Sequence, residues 1–191
     1  MNAEQSLVQL LQRKEWDDYG FVMFRMAYND EARWEQFSAR FDEILDGRLD
    51  NGDQDGGLEK IKDKMLTRIV DDDLINDSGV FGAAGGFQLC RARDPVEPGL
   101  DLMMCLMADA ECIASVLEPE DGIQPFVKAV DVRMTEADYV SKQEPGYEGC
   151  FKVAIQALPV EFYLALHTVR HPSELVRDAN PVWQSMQRNT G

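Results

Sequence analysis

Apolar positions recur along this chain with two different periods, and the switches between them divide it into elements. Leu7, Leu10 and Leu11 fall on one face of a short amphipathic helix over 3–14. From 19 to 28 the run YGFVMFRMAY places Val22, Phe24, Met26 and Tyr28 on one side and Arg25 on the other, and its aromatic and branched content predicts the first strand. Asn29 can cap the helix that follows, Asp30 and Glu31 suit its positive end, and Trp34, Phe37, Phe41, Ile44 and Leu45 keep helical spacing to a stop near Gly47. After a Gly/Asp-rich turn at 50–57, Leu58, Ile61, Met65, Leu66 and Ile69 form the stripe of a second predicted helix that ends by the acidic run 71–73.

Four glycines in NDSGVFGAAGG (76–86) predict a loop, and FQLCRA (87–92) is short enough for a strand. Past Pro95, Pro98 and Gly99, the nearly continuous apolar run 100–107 reads as a buried strand that would complete a hairpin. Asp109 can cap a helix with Ile113, Val116 and Leu117 inward, stopped by Pro119 and Gly122. FVKAVDVRM (126–134) and CFKVAI (150–155) are strands, Pro159 opens a last helix over 160–170, and short capped segments follow at Ser173 and at Asn180 with Pro181.

The order strand, helices, strand, strand, helix, strand from Tyr19 to Met134 matches a split βαβ pattern. The expected fold is therefore α+β, with a ferredoxin-like core, one additional strand and extra N- and C-terminal helices. It divides into an N-terminal helix (1–18), a single α+β domain (19–171) and a C-terminal helical extension (172–191). The strands are too apolar on both sides to face water, so the sheet face opposite the core helices must be covered by the extra helices, a second subunit or a ligand.

Composition narrows the partners. At 191 residues the chain can bury roughly two-thirds of the surface its unfolded form exposes. Thirty-five acids against nineteen bases leave a net charge of −16, which repels phosphate backbones and anionic lipid and argues against nucleic acid and membrane surfaces. The surplus is uneven: residues 42 to 77 hold twelve acids and five bases. No apolar run is long enough to span a bilayer, and the first fifteen residues lack the pattern of a secretory leader. Cys90, Cys105, Cys112 and Cys150 have no paired ligand spacing and read as reduced thiols in or near the core, which points to the cytoplasm.

Candidate chemistry is sparse. Asn51, Asp53, Asp55, Gly56, Leu58 and Glu59 reproduce positions 1, 3, 5, 6, 8 and 9 of a calcium loop, but Lys62 stands where a bidentate glutamate is needed, so the segment reads as a solvated acidic turn. His167 and His171 are four apart and could hold a metal with Glu174, yet Pro172 turns His171 away from helical geometry, which favours structural roles and no metal. The glycines at 79, 82, 85 and 86 fit no phosphate-binding spacing, no nucleophile elbow is present, and no cofactor is implied. Arg25, Asp131 and Arg133 remain: charges on apolar strands that must be paired if they face the interior, and that would orient a ligand in a sheet-lined pocket.

The segment WDDYGFVMFRMAYNDEARWEQF (16–37) resembles the opening of a group of uncharacterised fungal intracellular proteins, in which a Trp/Tyr-Gly-Phe strand precedes a Trp-containing helix. LMMCLMADAECIASVL (102–117), PFVKAVD (125–131) and GYEGCFKV (146–153) are similar to the same group, whereas 76–100 departs from it. The resemblance implies a fungal source and a cytosolic α+β protein, and it carries no catalytic residues. Two functions follow as expectations. One is a binding or protein-interaction module whose apolar sheet face meets another copy of the chain or an apolar small molecule. The other is a cofactor-independent enzyme of fungal secondary metabolism (an isomerase, cyclase or monooxygenase-like protein) using Arg25, Asp131, Arg133 or a tyrosine around an enclosed cavity.

Overall fold

Every residue of strand β1 (Tyr19–Arg25) is buried, which a strand achieves only when both of its sheet faces are covered. The computed structural model describes residues 1–52, 55–141, 146–176 and 181–186. Around β1 the chain order is α1 (Ala3–Lys14), β1, α2 (Glu31–Asp50), β2 (Met65–Val70), α3 (Gly79–Arg93), β3 (Met104–Ala108), α4 (Ala110–Leu117), β4 (Phe126–Asp131), α5 (Ala137–Ser141) and β5 (Cys150–Ala154). A π turn (Leu158–Phe162) runs into α6 (Tyr163–Leu166), and α7 (Ser173–Val176) follows. The expected α+β class is what forms, as a five-stranded mixed open sheet in the order β2-β1-β3-β4-β5.

The sheet departs from the expected split βαβ arrangement. β1 runs parallel to both β2 and β3, and only β4 and β5 are antiparallel to their inner neighbours. The difference arises in residues 58–93. Leu58 and Ile61 are buried as the helical stripe requires, but in two single 3₁₀ turns. From Met65 the chain extends, because Thr67, Ile69 and Val70 are β-branched and the backbone pairs with β1 from Tyr19↔Met65 to Phe24↔Val70. Gly20 permits this approach: its φ is +138°, and a Cβ there would stand 2.1 Å from the Leu66 carbonyl oxygen.

The expected loop and strand over 76–92 are instead the continuous helix α3. Its glycines cost helix stability, by about 1 kcal/mol each relative to alanine, but they let it lie close on the sheet. A Cβ on Gly86 would sit 2.8 Å from the Phe24 ring. The crossovers β1-α2-β2 and β2-α3-β3 run in opposite directions along the sheet, and right-handed crossovers then place their helices on opposite faces. One face is covered by α1, α2, α4 and the C-terminal turns, in a core that includes Leu7, Phe37, Phe41, Ile113, Phe162 and Trp183. The other is covered by α3, whose Ala83, Ala84 and Phe87 pack on Val22, Phe24, Cys105, Met107 and Val130. The sheet face that the sequence leaves for a partner is thus occupied by the chain itself.

Two aspartates set strand limits. Asp101 accepts hydrogen bonds from the Met103 and Met104 amides (2.9 and 2.7 Å), which turns the chain and delays β3 to Met104. Asp131 accepts from the Arg133 amide (3.1 Å), which ends β4 three residues earlier than its apolar alternation suggests and starts a 3₁₀ turn at Val132–Thr135. The outer edge of β5 is partly covered by Trp183, whose amide and carbonyl bond to Lys152 and Ala154 (both 2.9 Å). Leu7 and Trp183 share one core, so the expected N-terminal helix and part of the C-terminal extension pack on the domain itself. Asn180 lies outside the described residues, as do the rest of 177–180 and 187–191. No described helix is long and apolar enough to cross a membrane.

Candidate functional site

Arg25 closes β1 and lies level with Ala108 at the end of β3, whereas Asp131 closes the antiparallel β4 level with Met104 at the start of β3. Four residues along β3 separate the two levels, about 13 Å at strand rise, and Arg25 is also two strands away from Asp131. The three sequence candidates therefore form two clusters at opposite ends of the sheet. Asp131 and Arg133 are brought together. Arg25 is not with them.

Asp131 is 0% exposed. Its Oδ1 accepts from the Arg133 amide and Nε, and its Oδ2 from Arg133 Nη2 and the Tyr147 hydroxyl, all at 3.0–3.1 Å, and also from the Tyr139 hydroxyl. Burial opposes the Arg133 charge, but the Asp131 carboxylate outweighs it and holds the guanidinium pKa above its usual value. Tyr147 is pushed up by burial first and then by the neighbouring carboxylate, so it stays a phenol. Arg133 also covers the Tyr139 ring at 4.3 Å.

The C-terminal segment docks here. His171 Nε2 lies 2.7 Å from the Tyr139 hydroxyl, and its ring stacks on Tyr139 and meets Tyr147 edge-on. The Ser173 amide donates to His171 Nδ1 (3.1 Å), with the Ser173 hydroxyl at 2.7 Å from the same nitrogen. An amide can only donate, so Nδ1 is the acceptor and Nε2 carries the proton, which it gives to the tyrosine oxygen as Tyr139 donates to Asp131. The five donors on Asp131 use its acceptor capacity inside the cluster. Chemically it could conduct a proton, but its evident effect is to tie β4, α5, the loop before β5 and α7 together.

Arg25 is equally committed. Its side chain is 3% exposed, forks onto both Glu31 oxygens (3.2 and 2.6 Å), reaches Asp71 at 3.2 Å, and donates from Nε to the Ala27 carbonyl at 3.1 Å. Tyr28 and Trp34 rings lie 4.3 and 4.8 Å from its guanidinium carbon. Four surface cavities of about 290, 530, 440 and 220 Å³ are lined by other residues. The largest contains Lys128, Cys150 and Lys152, but Asp109 and Glu111 already pair with the two lysines.

The remaining candidates separate as well. His167, at the end of α6, has Nδ1 3.0 Å from the Tyr163 carbonyl oxygen. Glu174 accepts from the Arg170 and His171 amides (both 2.9 Å) rather than joining the two imidazoles. Among the described residues, no group of three His, Cys, Asp or Glu is placed to hold a metal ion. Asp53 of the calcium-like loop lies outside the described residues, and Lys62, at the position that needs a glutamate, pairs with Asp50 at 3.2 Å. All four cysteines are free, with Cys105 and Cys112 buried.

What sequence reasoning missed is on α3. Its apolar residues surround the whole helix, a pattern suited to full burial, yet Phe81 and Leu89 are each 60% exposed and Leu74, on the turn before it, is 88% exposed. From Gly79 to Cys90 the helix carries no charge. Gln88, its polar residue in that stretch, turns aside to donate to the Val132 carbonyl (3.0 Å). The signal available in the sequence was twelve uncharged residues in a strongly acidic chain, which the glycines disguised as a loop. Comparison of the chain with protein-family models, curated proteins and solved structures finds no match.

Proposed function

We propose that this chain is a protein-interaction module that docks through the outer face of α3. The observation that carries the reading is the exposure of Phe81 and Leu89, two turns apart on an uncharged helix. Isolated exposed apolar residues are ordinary, but a stripe without charge on an otherwise acidic surface marks a contact face. The apolar surface first ascribed to the sheet is thus transferred one layer outward, from the sheet to the helix that covers it. Four free thiols are consistent with a reducing compartment and support the cytoplasm as its location.

The alternative, a cofactor-independent enzyme, needs Arg25, Asp131, Arg133 or a tyrosine around an enclosed cavity, and none of these residues lines the four cavities described above. The separation of Arg25 from Asp131 and Arg133 to opposite ends of the sheet, and the internal hydrogen bonds that occupy Arg25 and Asp131, favour the interaction module. The test uses Nile red, a neutral apolar probe whose fluorescence rises in an apolar site. The wild-type chain should enhance it saturably and the double variant Phe81→Ser/Leu89→Ser should lose most of the enhancement. Equal enhancement by the two proteins would remove the α3 face from consideration.

A further inference from the structure

We infer that the occupant of the α3 face is a second copy of this chain, packed across a two-fold axis with the two α3 helices antiparallel and Gly85 at the crossing. This rests on the docking face proposed above and adds its partner. The residues of α3 are arranged symmetrically about Gly85 in position and oppositely in character. Phe81 and Leu89 lie four residues to either side, about 6 Å along the axis, and Gly85 places no side chain between them. Asp77 and Arg93 lie eight residues to either side, both exposed. Among the described residues neither Asp77 nor Arg93 is in an ion pair.

A two-fold interface must be complementary to itself, residue i meeting j while j meets i. Reversing one α3 against another sets Phe81 against Leu89, and brings Asp77, two residues before the helix, toward Arg93 at the last position of the second copy's helix. The apolar pair and the charge pair each form twice. Arg91 and Arg93 in the last turn also suit the helix dipole, but the dipole gives no reason for the uncharged apolar stripe before them. A Cβ at Gly85 would meet Thr135 Cγ2 at 3.7 Å, an ordinary van der Waals contact, so the glycine is not required by the packing of its own helix on the rest of the chain. A close crossing with a second helix supplies that requirement.

A fifteen-residue helix is about 22 Å long, and one helix pair buries less than the roughly 1,200 Å² of a standard stable interface. The dimer should therefore be reversible, with a dissociation constant in the micromolar range.

The experiment is sedimentation velocity on the full chain from about 1 to 500 µM, with thermal unfolding of each variant as a folding control. The wild type should pass from monomer to dimer across this range. Phe81→Asp should weaken association at least tenfold while melting as the wild type does, since Phe81 is exposed. Arg93→Asp should also weaken it, and the double reversal Asp77→Lys/Arg93→Asp should restore it, which a parallel or unrelated contact would not do. A wild type that stays monomeric at 500 µM overturns the second-copy assignment, as does a dimer indifferent to Phe81→Asp. Nile red separates the two levels of the argument. A monomer whose probe binding depends on Phe81 and Leu89 keeps the docking face and loses only this partner, whereas a monomer without such binding loses both.

Discussion

Replacing Asp131 with asparagine keeps the shape of the buried side chain and removes its charge. In the native chain one carboxylate accepts from an arginine amide, two guanidinium nitrogens and two phenols. The amide of the variant retains one acceptor oxygen and points an NH₂ toward donors. Removing one partner of a fully buried ion pair costs about 3–5 kcal/mol. Here Arg133 is about a third exposed and water recovers part of its solvation, while a tyrosine can rotate its hydroxyl to accept from the new NH₂. The expected loss is about 3 kcal/mol, or about 6–12 °C in melting temperature for a domain of this size. Tyr147→Phe removes one hydrogen bond to the carboxylate and should cost about 1.5–3 kcal/mol on its own. Urea unfolding followed by circular dichroism measures both, and the double variant gives their coupling. If Asp131→Asn lost less than about 1 kcal/mol, the cluster would not be the tie between β4, α5 and α7 that its geometry indicates.

Further outcomes follow from particular neighbours. Gly47→Ala in the last turn of α2 meets nothing within 4 Å and should stabilise by about 0.5–1 kcal/mol, whereas Gly86→Ala forces a Cβ to 2.8 Å from the buried Phe24 ring and should destabilise by about 1–2 kcal/mol; paired thermal melts decide both signs. Burial pushes the Cys150 thiol up to about 12 and also raises Cys105 and Cys112, so Ellman's reagent on the folded chain at pH 8 should modify Cys90 rapidly and the other three only after denaturation. Burial alone would raise the Asp109 carboxyl, but Lys128 reverses it and also lowers Glu111, with Lys152 helping. Groups lowered on folding contribute stability that is present above their unfolded pKa and lost as pH falls through the folded value. Lys128→Met should therefore lie furthest below wild type in urea midpoint at pH 5–6, and the gap should narrow as pH falls below about 4; a constant gap down to pH 3 would refute the linkage.

Helices α1, α2 and α4 and strands β1, β3, β4 and β5 are legible in the sequence because local period and final burial agree there. Trp34, Phe37, Phe41 and Leu45 are a helical stripe by spacing, and all four are buried. Residues 58–93 mislead for two physical reasons. An edge strand paired on one side is only half-buried, so 65–70 lacks the clear alternation that separates it from the helical spacing of Leu58 and Ile61. In α3, glycine reads locally as a break, while its actual use is to bring a helix against Phe24 across the sheet, a contact sixty-two residues away in the chain. Those two reversals convert a split βαβ order into one with three parallel strands. The Asp131 cluster was half legible: the need to pair a buried aspartate was evident, and Arg133 is two residues away. Tyr139, Tyr147 and His171 reach it only through the fold, and Arg25 was grouped with it because sequence does not show which end of a sheet a residue occupies.

The two buried clusters and the α3 face differ in what a ligand would have to displace. At Arg25 or Asp131, a newcomer must break charge-assisted hydrogen bonds already made inside the chain, at a cost of several kcal/mol before any gain. At α3 nothing is broken, and each square ångström of apolar surface removed from water contributes about 25 cal/mol. The obstacle there is long-range: two chains of net charge −16 repel each other. Salt acts on the two electrostatic effects unequally. Repulsion between whole molecules is spread over distances well beyond the roughly 8 Å Debye length at physiological ionic strength and is largely screened, whereas Asp77 against Arg93 at contact is screened much less. Association through α3 should accordingly strengthen between about 10 and 150 mM salt. An interface made mainly of exposed ion pairs would weaken over the same interval, so the sign of the salt dependence tells whether Phe81 and Leu89 or the flanking charges dominate the contact.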